Sequence, residues 1–196
     1  MKNKIRKNKK GFSIGEVVLA IFVLNVAILS IMLLFSKGIQ EFRDERNSVV
    51  ASMLAQEGVE MARNIRDNTW ADRKCVKKSE CPSDFPETFD RFTNSPALCR
   101  IDIKSDEIKS SDCDNDQSKK VLYINSSDGF YDYDNSGEKT DFKRAIKLDR
   151  GVEDDLTVTS FATWDNTNIP NNKSNCNVQN KCVFSEITLS DWGTGS

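Results

Sequence analysis

Apolar positions along this chain fall into three regimes. Residues 17–35 are apolar almost without interruption, with Asn25 and Ser30 as the only polar breaks. That length suits a helix crossing a bilayer, which needs roughly 20 such residues. From 36 to 67 there is no proline, and Ile39, Phe42, Val50, Met53, Leu54, Met61 and Ile65 recur at helical spacing. Opposite them lie Arg43, Glu45, Arg46, Gln56, Glu57, Glu60 and Arg63. The pattern predicts an amphipathic continuation of the first helix, failing around Asn68-Thr69-Trp70. A helix from 12 to 67 would be roughly 84 Å long. Gly38 and Gly58 each weaken it by about 1 kcal/mol relative to alanine and mark either bends or close packing.

Beyond the helix the period changes to two. Residues 71–96, charged and broken by Pro82, Pro86 and Pro96, read as a loop. Residues 97–104 alternate weakly, and 105–118 are again a polar loop. Short strands are expected at 121–125 and 129–133, around the turn chemistry of Ser126-Ser127-Asp128-Gly129, with Asn135-Ser136-Gly137 turning the chain again. Phe142, Arg144, Ile146 and Leu148 share one strand face. Leu156, Val158, Ser160, Ala162 and Trp164 repeat the pattern, and Val183, Ile187 and Leu189 line one side of a last strand over 183–192. Several antiparallel strands with one buried face, plus one long helix bearing a stripe, predict an α+β fold whose N-terminal helix packs on a C-terminal antiparallel β-sheet head. The expected divisions are 1–11, 12–35, 36–70 and 71–196.

Charge is distributed unevenly. Residues 1–11 hold six of the 28 basic residues (Lys2, Lys4, Arg6, Lys7, Lys9 and Lys10) and no acid, leaving 22 basic against 30 acidic residues beyond Gly11. An acidic surface argues against nucleic acid as a partner, because phosphate binding needs a clustered basic face. Cations before an apolar span keep that end in the cytoplasm and place the C-terminal bulk outside. All six cysteines (Cys75, Cys81, Cys99, Cys113, Cys176 and Cys182) lie in that outward part, where an even count reads as disulfides. The equal spacing of Cys75/Cys81 and Cys176/Cys182 makes local loop staples the simplest pairing, though sequence does not choose among the connectivities. Histidine is absent. That removes the commonest general base and the Ser-His and Cys-His nucleophile pairs, so no enzyme and no cofactor are expected.

One residue disturbs the approach to the apolar segment. Glu16 stands immediately before Val17, the fifth residue counted from Phe12, and an unpaired charge in the bilayer core costs about 3 kcal/mol. An ordinary secretory signal has a shorter apolar core with a small-residue cleavage site after it. A plain anchor explains the span but neither Glu16 nor Gly11. The run Lys9-Lys10-Gly11-Phe12-Ser13-Ile14-Gly15-Glu16, followed by 17–35, strongly resembles the class III leader and N-terminal helix of type IV pilins and type II secretion pseudopilins. The resemblance implies cleavage after Gly11 by a prepilin peptidase, N-methylation of Phe12, and pairing of Glu16 with the terminal amine of a neighbouring subunit. It also implies other pilin subunits and an inner-membrane assembly platform as partners, with a single-pass inner-membrane precursor and a cell-surface filament after assembly. Gly15 departs from the family's bulky aliphatic at that position, and Leu33 stands where many major pilins have a kinking proline. The latter, with the cysteine-bearing head, favours a minor pilin, as does the similarity of residues 54–60 and 63–67 to helices of the PilV-like group. The competing reading is a membrane-anchored binding or adhesion domain that does not polymerise.

Other candidates are weighed against simpler roles. Asp132, Asp134 and Ser136, with Gly137, imitate the start of a calcium loop, but the position for a bidentate glutamate is Lys143, a cation. An acidic hairpin between Tyr131 and Phe142 is the preferred reading. Asp112, Asp114 and Asp116 form a second oxygen-rich spot without a glycine turn. Asn125-Ser126-Ser127 and Asn172-Lys173-Ser174 fit the glycosylation triplet. Tyr131, Tyr133, Trp164 and Trp192 suit core or strand-pair roles better than an adhesive patch.

Overall fold

The computed structural model describes residues 11, 13–71, 91–93, 95–103, 107–127, 129–151 and 155–190, the side chains of Trp70 and Ala71 apart. The chain divides into two units, Met1–Glu45 and Arg46–Ser196. A single helix, α1 (Ile14–Ala71), contributes to both. Its end falls where the apolar stripe stops, and it continues through Gly38 and Gly58 without a break.

In the second unit five strands form one antiparallel sheet in the order β2-β1-β3-β4-β5. They are β1 (Val121–Ile124), β2 (Tyr131–Asp132), β3 (Glu138–Arg150), β4 (Leu156–Thr163) and β5 (Cys182–Leu189). The α+β expectation therefore holds at the level of one long helix and one antiparallel sheet. Over the described part of 97–104, residues 97–103, the expected strand does not form. Their place beside β3 is reduced to a single bridge, in which Cys99 and Ile146 exchange backbone hydrogen bonds of 2.8 and 2.9 Å.

α1 packs its later turns on one sheet face. Met61, Ala62 and Ile65 join Ile146, Leu148, Leu156, Val158 and Leu189. Ala51, Leu54 and Ala55 meet Leu122, Ala162 and Trp164. The stripe differs from the sequence expectation, because alanines and Gly58 occupy the contact while Met53, Ile39 and Phe42 are exposed. Small residues let the backbone approach the sheet. A Cβ at Gly58 would lie 2.3 Å from Ser160 Oγ and 3.2 Å from Ser160 Cβ, so Gly58 serves close packing.

The expectation of one buried face also needs correction. Leu98, Ala145, Phe161 and Ile169 pack with Cys176 and Cys182 on the face away from α1. Covering both faces of the central strands explains why β4 is buried at nearly every position. The covering segment turns back through Asp165 and Asn166, both with positive φ. Thr167 donates to the Trp164 carbonyl at 3.2 Å to close that turn. Lys143, itself buried, ties the segment down by donating to the Asn166 carbonyl at 2.9 Å and to Asn168 Oδ1 at 3.1 Å. Burial, with nearby Lys139, pushes its pKa below the usual lysine value.

Candidate functional site

At the start of α1, the Ser13 carbonyl accepts from the Glu16 and Val17 amides at 3.0 and 3.2 Å, which places Ser13 at the N-cap and Glu16 in the first turn. The two have the Ser-x-x-Glu spacing of a capping box, yet among the described residues the Glu16 carboxylate makes no hydrogen bond or ion pair. An acid in the first turn is favoured by the helix dipole, by about 0.3–1 kcal/mol at an exposed site. That is smaller than the cost of a lone charge in hydrocarbon. The dipole alone therefore does not account for a carboxylate at the head of an apolar rod.

Gly11 is exposed, and a Cβ there would meet nothing within 4 Å. At Gly15 only Ser13 Oγ lies near, at 3.9 Å. Neither glycine is required by the fold. Phe12 lies outside the described residues. Beyond Glu16 the large side chains of 17–35 are all exposed, and none of the most apolar window is buried. The helix is long and apolar enough to cross a membrane. Its two polar breaks suit that setting, since Asn25 Nδ2 donates to the Ile21 carbonyl and Ser30 Oγ to the Val26 carbonyl, both at 2.9 Å. Each thereby directs a donor to a carbonyl of its own helix, which lowers the cost of a polar side chain in a water-free environment.

The other candidates resolve into local structure. Asp132 Oδ1 accepts from the Asp134 amide and Asp134 Oδ1 from the Ser136 amide, each at 3.1 Å. These oxygens cap the turn between β2 and β3. Gly137 is explained by packing, because a Cβ there would lie 2.6 Å from the Ile124 carbonyl oxygen. Among the described residues no three His, Cys, Asp or Glu side chains converge as a metal site. Asp114 pairs with Lys119 at 3.0 Å and Lys120 at 3.2 Å, and Asp116 accepts from the Ser118 amide at 2.9 Å. Burial alone would push the Asp114 carboxyl up, but the two ammonium groups outweigh it and hold its pKa low. Asn125 and Asn172 accept from the amides of Ser127 and Ser174, so both glycosylation-like triplets form side-chain turns. Tyr131 packs edge-on against Phe142 and Trp164 is buried; Trp192 lies outside the described residues.

Two disulfides are described, Cys99–Cys113 and Cys176–Cys182. The second is the local staple that spacing suggested. The first joins the bridge beside β3 to residues 110–114, a long-range pairing that spacing could not reveal. Cys75 and Cys81 lie outside the described residues.

The sequence reading missed the polar link inside the head. Arg144 is fully buried against α1, where Nη1 reaches Glu57 Oε2 at 3.0 Å and Nη2 donates to the Ile101 carbonyl at 3.1 Å. Tyr133 lies beneath the guanidinium and donates its hydroxyl to the Arg144 carbonyl at 2.9 Å. Glu57 thus faces the sheet, not the polar side of the helix. An arginine alternating with Phe142, Ile146 and Leu148 was the available signal, and its helix partner Glu57 directly precedes Gly58, the point of closest approach to the sheet.

Comparison of the sequence with protein-family models and with characterised proteins, and of the fold with solved structures, finds no match.

Proposed function

We propose that this chain is a structural subunit, of the minor type, of a type IV pilus or a related pseudopilus. The observation that carries the reading is Glu16, which among the described residues stands unpaired in the first turn of a helix whose apolar stretch 17–35 buries none of its large side chains. Such a helix has two stable surroundings, a bilayer and a bundle of similar helices. Apolar burial in either is worth about 25 cal/mol per Å² of surface taken from water, so lipid suits the aliphatic side chains as well as a bundle does. The carboxylate distinguishes the two, because a charge in a low-dielectric core is stabilised only beside an opposite one.

Cleavage after Gly11 would create that opposite charge, an amine on Phe12, at the same depth as the acid of a neighbouring subunit. A glycine that the fold does not require is what a peptidase recognising a small residue would maintain. The peptidase and an inner-membrane assembly platform are then the processing partners, the precursor is held by residues 12–35 in the inner membrane, and the head faces outward. In this reading the protein is a substrate of enzymes and has no catalytic role.

Glu16→Ala tests the proposal when expressed with its partner pilins. The expected result is normal membrane insertion with incorporation into sheared filaments falling by at least about tenfold, the equivalent of about 1.4 kcal/mol. Undiminished incorporation would sink the pairing, and a chain never found in filaments would favour the anchored binding domain.

A further inference from the structure

Next to the Cys99–Cys113 disulfide, the head has a cleft of about 330 Å³ lined by Arg100, Lys119, Tyr123, Tyr133, Asp134 and Asn135. Its wall is rigidly built. Beside the disulfide, the Arg100 amide donates to the Asp112 carbonyl at 2.9 Å and the Asp114 amide to the Leu98 carbonyl at 3.1 Å. This framework positions a guanidinium whose donors are unspent. Among the described residues Arg100 makes no side-chain hydrogen bond, its Nε is buried without a partner, and its ionic neighbour Asp112 stands off at 3.8 Å. A guanidinium has five N–H donors in a planar fork suited to a carboxylate or phosphate. The side chain is about a third exposed (31%), so the donors not spent on the protein are open to a ligand in the cleft.

The rest of the lining narrows the occupant. Lys119 adds a second cation, and its partner Asp114 is shared with the wholly buried Lys120 behind it, so one carboxylate serves two ammonium groups. The Tyr123 hydroxyl is likewise without a hydrogen bond among the described residues. Asp134 would repel a simple anion but can accept hydrogen bonds from hydroxyls, and Asn135 can donate or accept. Two tyrosines supply an apolar body beside these polar groups. We infer that this cleft binds a sugar acid, with the carboxylate on Arg100 and Lys119, ring hydroxyls on Asp134 and Asn135, and the carbon face against Tyr123 and Tyr133. This goes beyond the filament reading and does not depend on it.

Isothermal titration of the full chain in detergent micelles with galacturonate, galactose and acetate tests the inference. Saturable binding of galacturonate is expected, tighter than acetate and with galactose silent. Arg100→Gln and Lys119→Gln should each weaken it roughly tenfold, the loss of one charge-assisted hydrogen bond. Lys119 is largely exposed, so its variant keeps the test valid if the Arg100 variant misfolds. No saturable heat with galacturonate, equal binding of galactose or acetate, or an unaffected Lys119→Gln variant would overturn the assignment.

Discussion

Between residues 17 and 35 α1 carries large side chains on every side and buries none of them. Between 51 and 65 it presents alanines, Gly58 and single large residues to a sheet and buries them almost completely. The first stretch is specified only by bulk hydropathy, and any apolar side chain would serve in lipid. The second is specified atom by atom, by a missing Cβ at Gly58 and a carboxylate at Glu57. Glu16 is the exception in the first stretch, an individually placed group in an otherwise generic segment, and this is what gives it weight.

The sharpest way to break the contrast is at Glu57. Glu57→Ala leaves the Arg144 charge buried without its acid, which costs about 3 kcal/mol, readable as a lowered urea midpoint of the head. Replacing both, as Glu57→Leu with Arg144→Met, should recover most of the loss, since an apolar pair of similar volume tolerates burial. A Glu57→Ala variant as stable as the parent would show that the link carries no stability. Leu24→Ala in the anchor stretch should leave that midpoint unchanged.

The glycines sharpen the comparison, because the same substitution should act with opposite sign. At Gly38 a Cβ meets nothing, so alanine gains up to about 1 kcal/mol of helix propensity. At Gly58 the same gain is outweighed by overpacking against Ser160, which typically costs 1–3 kcal/mol (about 1 kcal/mol net here). Thermal melts of both variants by circular dichroism decide the matter, and two shifts of the same sign would refute the contrast.

What could be read in advance followed this division. Bulk hydropathy and period-two alternation gave the helix, its end, and strands β1 to β5 to within a few residues, since those signals survive whatever packs around them. The contact stripe was misplaced because alanine and glycine carry little hydropathy yet decide how near a helix can approach. Ala51, Ala55 and Ala62 are buried at the contact, whereas the larger Met53 and Phe42 are exposed. Long-range partners, Arg144 with Glu57 and Cys99 with Cys113, depend on the tertiary arrangement and leave no local pattern. At the helix start the signal is local instead: the Ser13–Glu16 spacing and the apolar run beyond it both lie in consecutive residues, and the helix begins at Ile14.

The smallest expected effect concerns acid. Hydrogen bonds from Lys173 and Thr159 hold the Glu186 carboxyl below its ordinary value of 4.5, and Asp114 is held below 3.8 despite the opposing effect of burial. The unfolded chain therefore binds more protons in this range. The stability these groups contribute is complete above about pH 4.5 and is lost as pH falls through their lower folded values. Each contributes less than about 1 kcal/mol, being partly exposed. Melting temperatures between about pH 6 and pH 3 should fall on acidification, with a shallower slope in Lys173→Gln. A rise instead would contradict these ion pairs.

The central claim is tested most directly by intact-mass and N-terminal peptide spectrometry of the protein recovered from its native membrane or filament. The account predicts a chain that starts at Phe12 and carries one added methyl group on its amine. A chain retaining Met1 to Gly11, or starting at Phe12 with Glu16 dispensable for assembly, would contradict it.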